Sequence, residues 1–167
     1  ASKEFAKEFL VRHQIPTARA TATATLDEAV KAIAGEYPTV LKFDGLAAGK
    51  GVAVCASEKE AMDFLDEVFT QQRFGSGRVL VEQCLTGPEV SVFAAIVDDQ
   101  YLIFTPARDY KRAQDGDLGP NTGGMGAVAS RQLVSPELMQ TIEREIVRPT
   151  VEGPRREGLP YRGFLYF

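Results

Sequence analysis

With 167 residues, 44% of them hydrophobic and 25% charged, the chain has the composition of one ordinary globular domain or two small lobes. A net charge of -4 with scattered basic residues leaves no electrostatic footprint for nucleic acid, so a small-molecule site is expected. Two cysteines without a CxxC pair and one histidine argue against a zinc site. No apolar run approaches a membrane span, and the opening ASKEFAKEFLVRH is too charged for a signal peptide, so the expectation is a cytoplasmic protein with reduced thiols.

Ser2 can cap a first helix whose apolar residues Phe5, Ala6, Phe9 and Leu10 recur at helical spacing, with Ile15-Pro16 ending it and His13 facing solvent. ARATATATL, residues 18–26, suits an extended segment. Thr25 and Glu28 form a capping box for a helix through Ala29, Val30 and Ile33 that Gly35 closes. TVLKF and GVAVCA read as two strands of a hairpin. Ser57 and Glu60 open the helix EKEAMDFLDEVFTQQ, with Met62, Phe64, Leu65, Val68 and Phe69 expected in the core.

RVLVEQCL, EVSVFAAIV and QYLIFTPA are β-rich runs separated by Thr86-Gly87-Pro88 and Asp98-Asp99, and antiparallel pairing of the three is the economical expectation. Periodicity disappears from Arg108 to Ala127, which predicts a long working loop. Ser135 and Pro136 start the helix PELMQTIEREIV, and RGFLYF begins a strand that reaches the chain end without a turn, as in a truncated sheet. The order of elements argues for α+β lobes built on antiparallel sheets.

Three stretches carry chemistry. KFDGLAAGKGV resembles a P-loop but fails it: Gly45 and Gly49 enclose three residues rather than four, and Lys50 is followed by Gly51 instead of a hydroxyl residue. It reads either as a turn with two solvated lysines or as a flap in which Lys42, Lys50 and glycine amides neutralise a polyphosphate. In VLVEQCLTGPEVSVF, a strand end with Glu82, then Leu85 and Glu89, can offer backbone groups to an adenine edge and a carboxylate to a ribose. In RDYKRAQDGDLGPNTGGMGAV, Lys111 and Arg112 can clamp a phosphate beside Asp109, and the glycine run can bind an anion through its amides.

Taken in order, LKFDGLAAGKGVAV, FGSGRVLVEQCLTGPEVS, DYKR, GPNTGGMGA, RPTVEG and YRGFLY resemble glycinamide ribonucleotide synthetase, or phosphoribosylamine–glycine ligase, of the ATP-grasp superfamily. The resemblance runs over essentially the whole chain. It implies an ATP-grasp fold that holds ATP between two antiparallel lobes. It implies joining of glycine to 5-phosphoribosylamine through a glycyl phosphate, giving glycinamide ribonucleotide, ADP and phosphate in purine synthesis. The division implied is a leading helix and hinge at 1–20, a small lobe at 21–82 and the first part of a large lobe at 83–167.

By the same resemblance Lys42 and Lys50 are phosphate contacts and Gly45, Gly49 and Gly51 belong to the flap. Glu82, Gln83 and Leu85 form the adenine hinge and Glu89 the ribose ligand. Lys111, Arg112 and Asn121 are placed at the chemistry, and Asp109, Thr122, Gly123, Gly124, Met125 and Gly126 on the substrate side. The chain departs from the family at Arg108 and Tyr110, where Gln and His are usual, and at Gln83, where Glu is usual. It also lacks the family's flanking segments, including the Glu and Asn magnesium ligands. Magnesium ligands are therefore expected outside this chain, Asp115 and Asp117 being solvated loop charges before they are a weak metal site. Turnover by this chain alone is not expected. The competing readings are another ATP-grasp carboxylate–amine ligase and a non-catalytic nucleotide-binding module.

Overall fold

Helix α1 (Lys3–Arg12) begins where the Ser2 hydroxyl accepts the Phe5 amide, as its sequence predicts. The computed structural model describes residues 2–47, 50–116, 118–159 and 161–167, without the side chains of Pro120 and Asn121. The chain divides into two units, Ala1–Thr86 and Gly87–Phe167.

In the first unit, β1 (Ala20–Thr23), β2 (Thr39–Asp44), β3 (Val52–Cys55) and β4 (Arg78–Gln83) form one antiparallel sheet in the order β1-β4-β2-β3. Strand alternation sends Leu41, Phe43, Val79 and Val81 to one face, where they form a core with α2 (Leu26–Ile33) and α3 (Glu58–Phe69). Both helices start as predicted: Thr25 and Ser57 accept the amides of Glu28 and Glu60. Those glutamates bond back to the amides of Ala24 and Ala56, one residue before each cap. Ala34 in the left-handed conformation caps α2, one position before the expected Gly35. Phe64, Leu65 and Val68 are buried, but Met62 is exposed on the outer face of α3, a correction to its assignment to the core.

The pairing of β4 is a second correction. It lies between β1 and β2 rather than beside the following strands, and its run of four buried residues fits a central strand covered on both faces, by the main core on one and by α1 on the other. The opposite face of this sheet meets α1. The Asp44 carboxylate accepts from the Ser2 hydroxyl at 2.9 Å and from the Lys3 and Glu4 amides, Glu4 pairs with Arg78, and Lys7 reaches Glu82. Burial opposes ionisation of Asp44, but these donors and the Lys3 ammonium outweigh it and hold its carboxyl below the ordinary range. A lowered native value stabilises fully above the unfolded pKa and is lost as pH falls through the native one. Asp44→Ala is therefore expected to cost about 1–2 kcal/mol at pH 7, a difference from wild type that narrows below about pH 4 in urea titrations.

The second unit has an antiparallel sheet in the order β6-β5-β9, from β5 (Phe93–Val97), β6 (Gln100–Ile103) and β9 (Arg162–Tyr166). Val92, Ala94 and Ile96 pack against Val147 and Val151 of a long helical stretch. That stretch is α4 (Pro136–Ile142), capped by Ser135, a π turn at Glu143–Val147, and α5 (Arg148–Arg156). The helix thus continues past its predicted end at Val147, and the wider turn precedes Pro149, whose missing N–H would interrupt a regular helix.

The expected 108–127 loop is instead a hairpin of β7 (Ala107–Gln114) and β8 (Leu118–Ala129), with register shifts around Arg112. Most of its residues are exposed, so no apolar alternation marked it; backbone pairing carries the ladder, helped by side-chain bonds from Arg112 and Thr122 to backbone carbonyls across it. Among the described residues no helix is long and apolar enough to cross a membrane.

Candidate functional site

Lys42 leaves β2 on the sheet face turned away from the main core. Its Nζ stands 2.8 Å from Glu82 Oε2 on β4, a diagonal cross-strand pair. Glu82 is buried, 6% exposed, whereas Lys42 is 31% exposed and keeps a route to a ligand. The other Glu82 oxygen faces Lys7 Nζ at 3.5 Å, a partner that sequence reasoning missed because nothing in helical periodicity marks a lysine as reaching a distant strand.

The glycine-rich turn follows β2 directly. The Phe43 amide donates to the Gly51 carbonyl and the Lys50 amide to Ala47, closing the turn, while the Lys50 side chain is exposed. Lys3 Nζ donates to the carbonyls of Phe43 and Gly45 and ties the stem to α1. Gly45, Gly51 and Gly77 surround the Phe43 side chain: a Cβ on Gly45 or Gly77 would stand 2.5 Å from its ring, and one on Gly51 would stand 2.7 Å from the Ala47 Cβ. These glycines therefore have a packing role. Gly49 lies outside the described residues.

Gln83 and Cys84 line a cleft of about 510 Å³ with Glu82, Arg19, Thr39 and Glu36, and Leu85 lies exposed just beyond. Cys84 is partly exposed, whereas Cys55 is buried in the core, where burial and the Glu60 carboxylate push its thiol up to about 11. Cys84 is expected to react with a disulfide reagent at least about 100-fold faster than Cys55, which should label only on unfolding.

In the second unit the structure brings Glu89, Asp109, Arg112 and Met125 around one cleft of about 530 Å³. Arg108, an unassigned residue, donates from Nε to the Glu89 carbonyl at 2.8 Å. Lys111 pairs with Asp109 at 3.2 Å in solvent. Arg112 donates to the Gly119 carbonyl, and Thr122 bonds the Lys111 carbonyl and accepts the Gly124 amide, so both also hold the hairpin. Gly124 and Gly126 have φ of 126° and 143°, conformations that favour glycine, and Gly123 has open space around it. Asn121 sits on β8 opposite Arg112; its side chain, like Asp117, lies outside the description. Among the described residues no group of three or more His, Cys, Asp or Glu converges to hold a metal, Asp115 included.

The whole chain, residues 1–167, matches the family described as phosphoribosylglycinamide synthetase, ATP-grasp (A) domain. It is 46% identical to a phosphoribosylamine–glycine ligase of Chlorobaculum tepidum over 99% of this chain and 40% of that protein. It is 44% identical to the same-named protein of Xanthomonas axonopodis pv. citri, of which it covers 39%. Among solved structures, a phosphoribosylamine–glycine ligase of Thermotoga maritima superposes with a TM-score of 0.85 at 36% identity, over 99% of this chain and 42% of that one. A carboxyaminoimidazole ribonucleotide synthase of Aspergillus clavatus, complexed with ATP, has a TM-score of 0.71 at 18% identity and shares the fold. The chain thus spans about 40% of the length of the curated relatives it matches.

Proposed function

Because the chain belongs to the phosphoribosylglycinamide synthetase ATP-grasp (A) domain family, we propose that it is the ATP-holding part of a phosphoribosylamine–glycine ligase. In that reaction a glycine carboxylate oxygen attacks the γ-phosphorus of ATP and ADP departs, leaving a glycyl phosphate. The amine of 5-phosphoribosylamine then attacks the acyl carbon, loses a proton, and releases phosphate as the C–N bond forms. Such chemistry needs positioning and charge neutralisation more than a protein nucleophile. The protein is expected in the cytoplasm, with glycine and 5-phosphoribosylamine as its small-molecule partners.

The observation that supports this reading best is the Lys42–Glu82 pair. A buried carboxylate fixes a partly exposed ammonium at the start of a glycine-rich turn, which suits a triphosphate. Lys50, with Gly45, Gly49 and Gly51, covers the phosphates. Gln83 and Leu85 give backbone groups to the adenine beside Glu82, and Glu89 takes the ribose hydroxyls. Lys111, Arg112 and Asn121 stabilise developing charge, with Asp109 and the Thr122–Gly126 run on the substrate side. Turnover is assigned to a longer ligase rather than to residues 1–167 alone.

The test is replacement of the matching segment of the Chlorobaculum tepidum ligase by this chain. ADP release that requires glycine and 5-phosphoribosylamine together supports the proposal. Release with a different acceptor amine, or none from a folded chimera, overturns it. ATP is also expected to slow labelling of Cys84, which lies between Gln83 and Leu85, at least about threefold.

A further inference from the structure

Lys7 of α1 is held on three sides. Its Nζ donates to the Thr17 hydroxyl at 2.7 Å and to the Ala18 carbonyl at 3.0 Å, and stands 3.5 Å from Glu82 Oε1, with its side chain 15% exposed. Glu82 is thereby shared by two ammonium groups, one per carboxylate oxygen. A simple Lys42–Glu82 pair would be neutral and would leave little field for an anion. Two lysines on one carboxylate carry a net charge of +1, and the more exposed of the two, Lys42, is where an anion can approach.

Resting on the ATP reading above, we propose that Lys7 is a positioning residue for the nucleotide phosphates. It fixes the Glu82 carboxylate from below and supplies the surplus positive charge that Lys42 presents. Lys7 itself touches no phosphate; its contacts with Thr17 and Ala18 keep it on the Glu82 side. The role belongs to an ammonium or guanidinium at this position and not to helix packing in general, since the apolar part of the side chain is retained in Lys7→Met.

The test compares wild type, Lys7→Met and Lys7→Arg by calorimetric titration with ATP and, separately, with adenosine, which lacks the phosphates. Lys7→Met is expected to weaken ATP binding about tenfold. It should leave adenosine within about twofold and make the ATP affinity less dependent on salt, as expected on losing one charge. Lys7→Arg should restore ATP binding to within about threefold of wild type. Thermal melts of all three verify folding. Unchanged ATP binding in a folded Lys7→Met protein overturns the proposal alone, and so does an equal loss for ATP and adenosine, which marks a structural role. If Lys7→Met does not fold, Lys7→Arg decides: wild-type ATP affinity and salt dependence support the proposal, and their loss overturns it. Wild type that binds no ATP overturns the nucleotide reading and this proposal with it.

Discussion

Replacing Lys42 by methionine is expected to weaken ATP binding about 30-fold, the effect of losing one charge-assisted contact. It should also destabilise the protein by about 2 kcal/mol, because it leaves the buried Glu82 carboxylate with only the longer contact to Lys7. The two effects are separable. In the double variant Lys42→Met/Glu82→Gln the stranded carboxylate is gone and Lys7 keeps its bonds to Thr17 and Ala18, so part of the lost stability should return in urea unfolding. ATP affinity should remain low, because the ammonium is still missing. Recovery of both would mean that Lys42 serves only to neutralise Glu82.

The second large effect concerns Phe43, 3% exposed, whose ring lies tilted against that of Phe74 with centroids 5.5 Å apart, and Phe74 in turn meets Phe64. Phe43→Ala should cost about 3–5 kcal/mol as a buried aromatic truncation. Gly77→Ala should cost about 1–3 kcal/mol, because its new Cβ would stand 2.5 Å from the Phe43 ring. Gly77 lies outside the left-handed φ range, so the clash and not the backbone is what the variant tests. Combining Gly77→Ala with Phe43→Leu should then cost less than the sum of the two single changes, by about 1 kcal/mol or more. Additive costs would show that the ring does not need the glycine.

The same geometry limits what glycine substitutions in the flap can report. A loss of ATP binding in Gly45→Ala would mix a phosphate contact with a displaced Phe43, since its Cβ meets the same ring. Lysine variants are the cleaner probes of the nucleotide site.

Local signals were the legible ones. Ser2, Thr25, Ser57 and Ser135 each cap the helix that their spacing announced, because a cap is decided within four residues. The place of β4 between β1 and β2 depends on partners some sixty and forty residues away, which no local pattern records. The β7–β8 hairpin was hidden for another reason: with most side chains exposed and glycine frequent, neither face carries an apolar alternation. Pro149 and Pro154 argue against a helix locally, yet α5 accommodates both, one in its first turn and one in its interior.

At the candidate site, the residue types were readable and their couplings were not. Lys42 and the glycine turn stand out in a single strand-turn stretch. That Glu82 faces both Lys42 and Lys7 follows only once the sheet register and the packing of α1 are known. Arg108, a departure from the family pattern, gains meaning in the same way, through its bond to the Glu89 carbonyl.

The most direct test of the central claim is calorimetric titration of wild type and Lys42→Met/Glu82→Gln with ATP in the presence of magnesium. Saturable one-site binding by wild type, weakened at least about 30-fold in a double variant that remains folded, is the expected result. A folded wild-type protein that binds no ATP, or equal binding by the two, would contradict it.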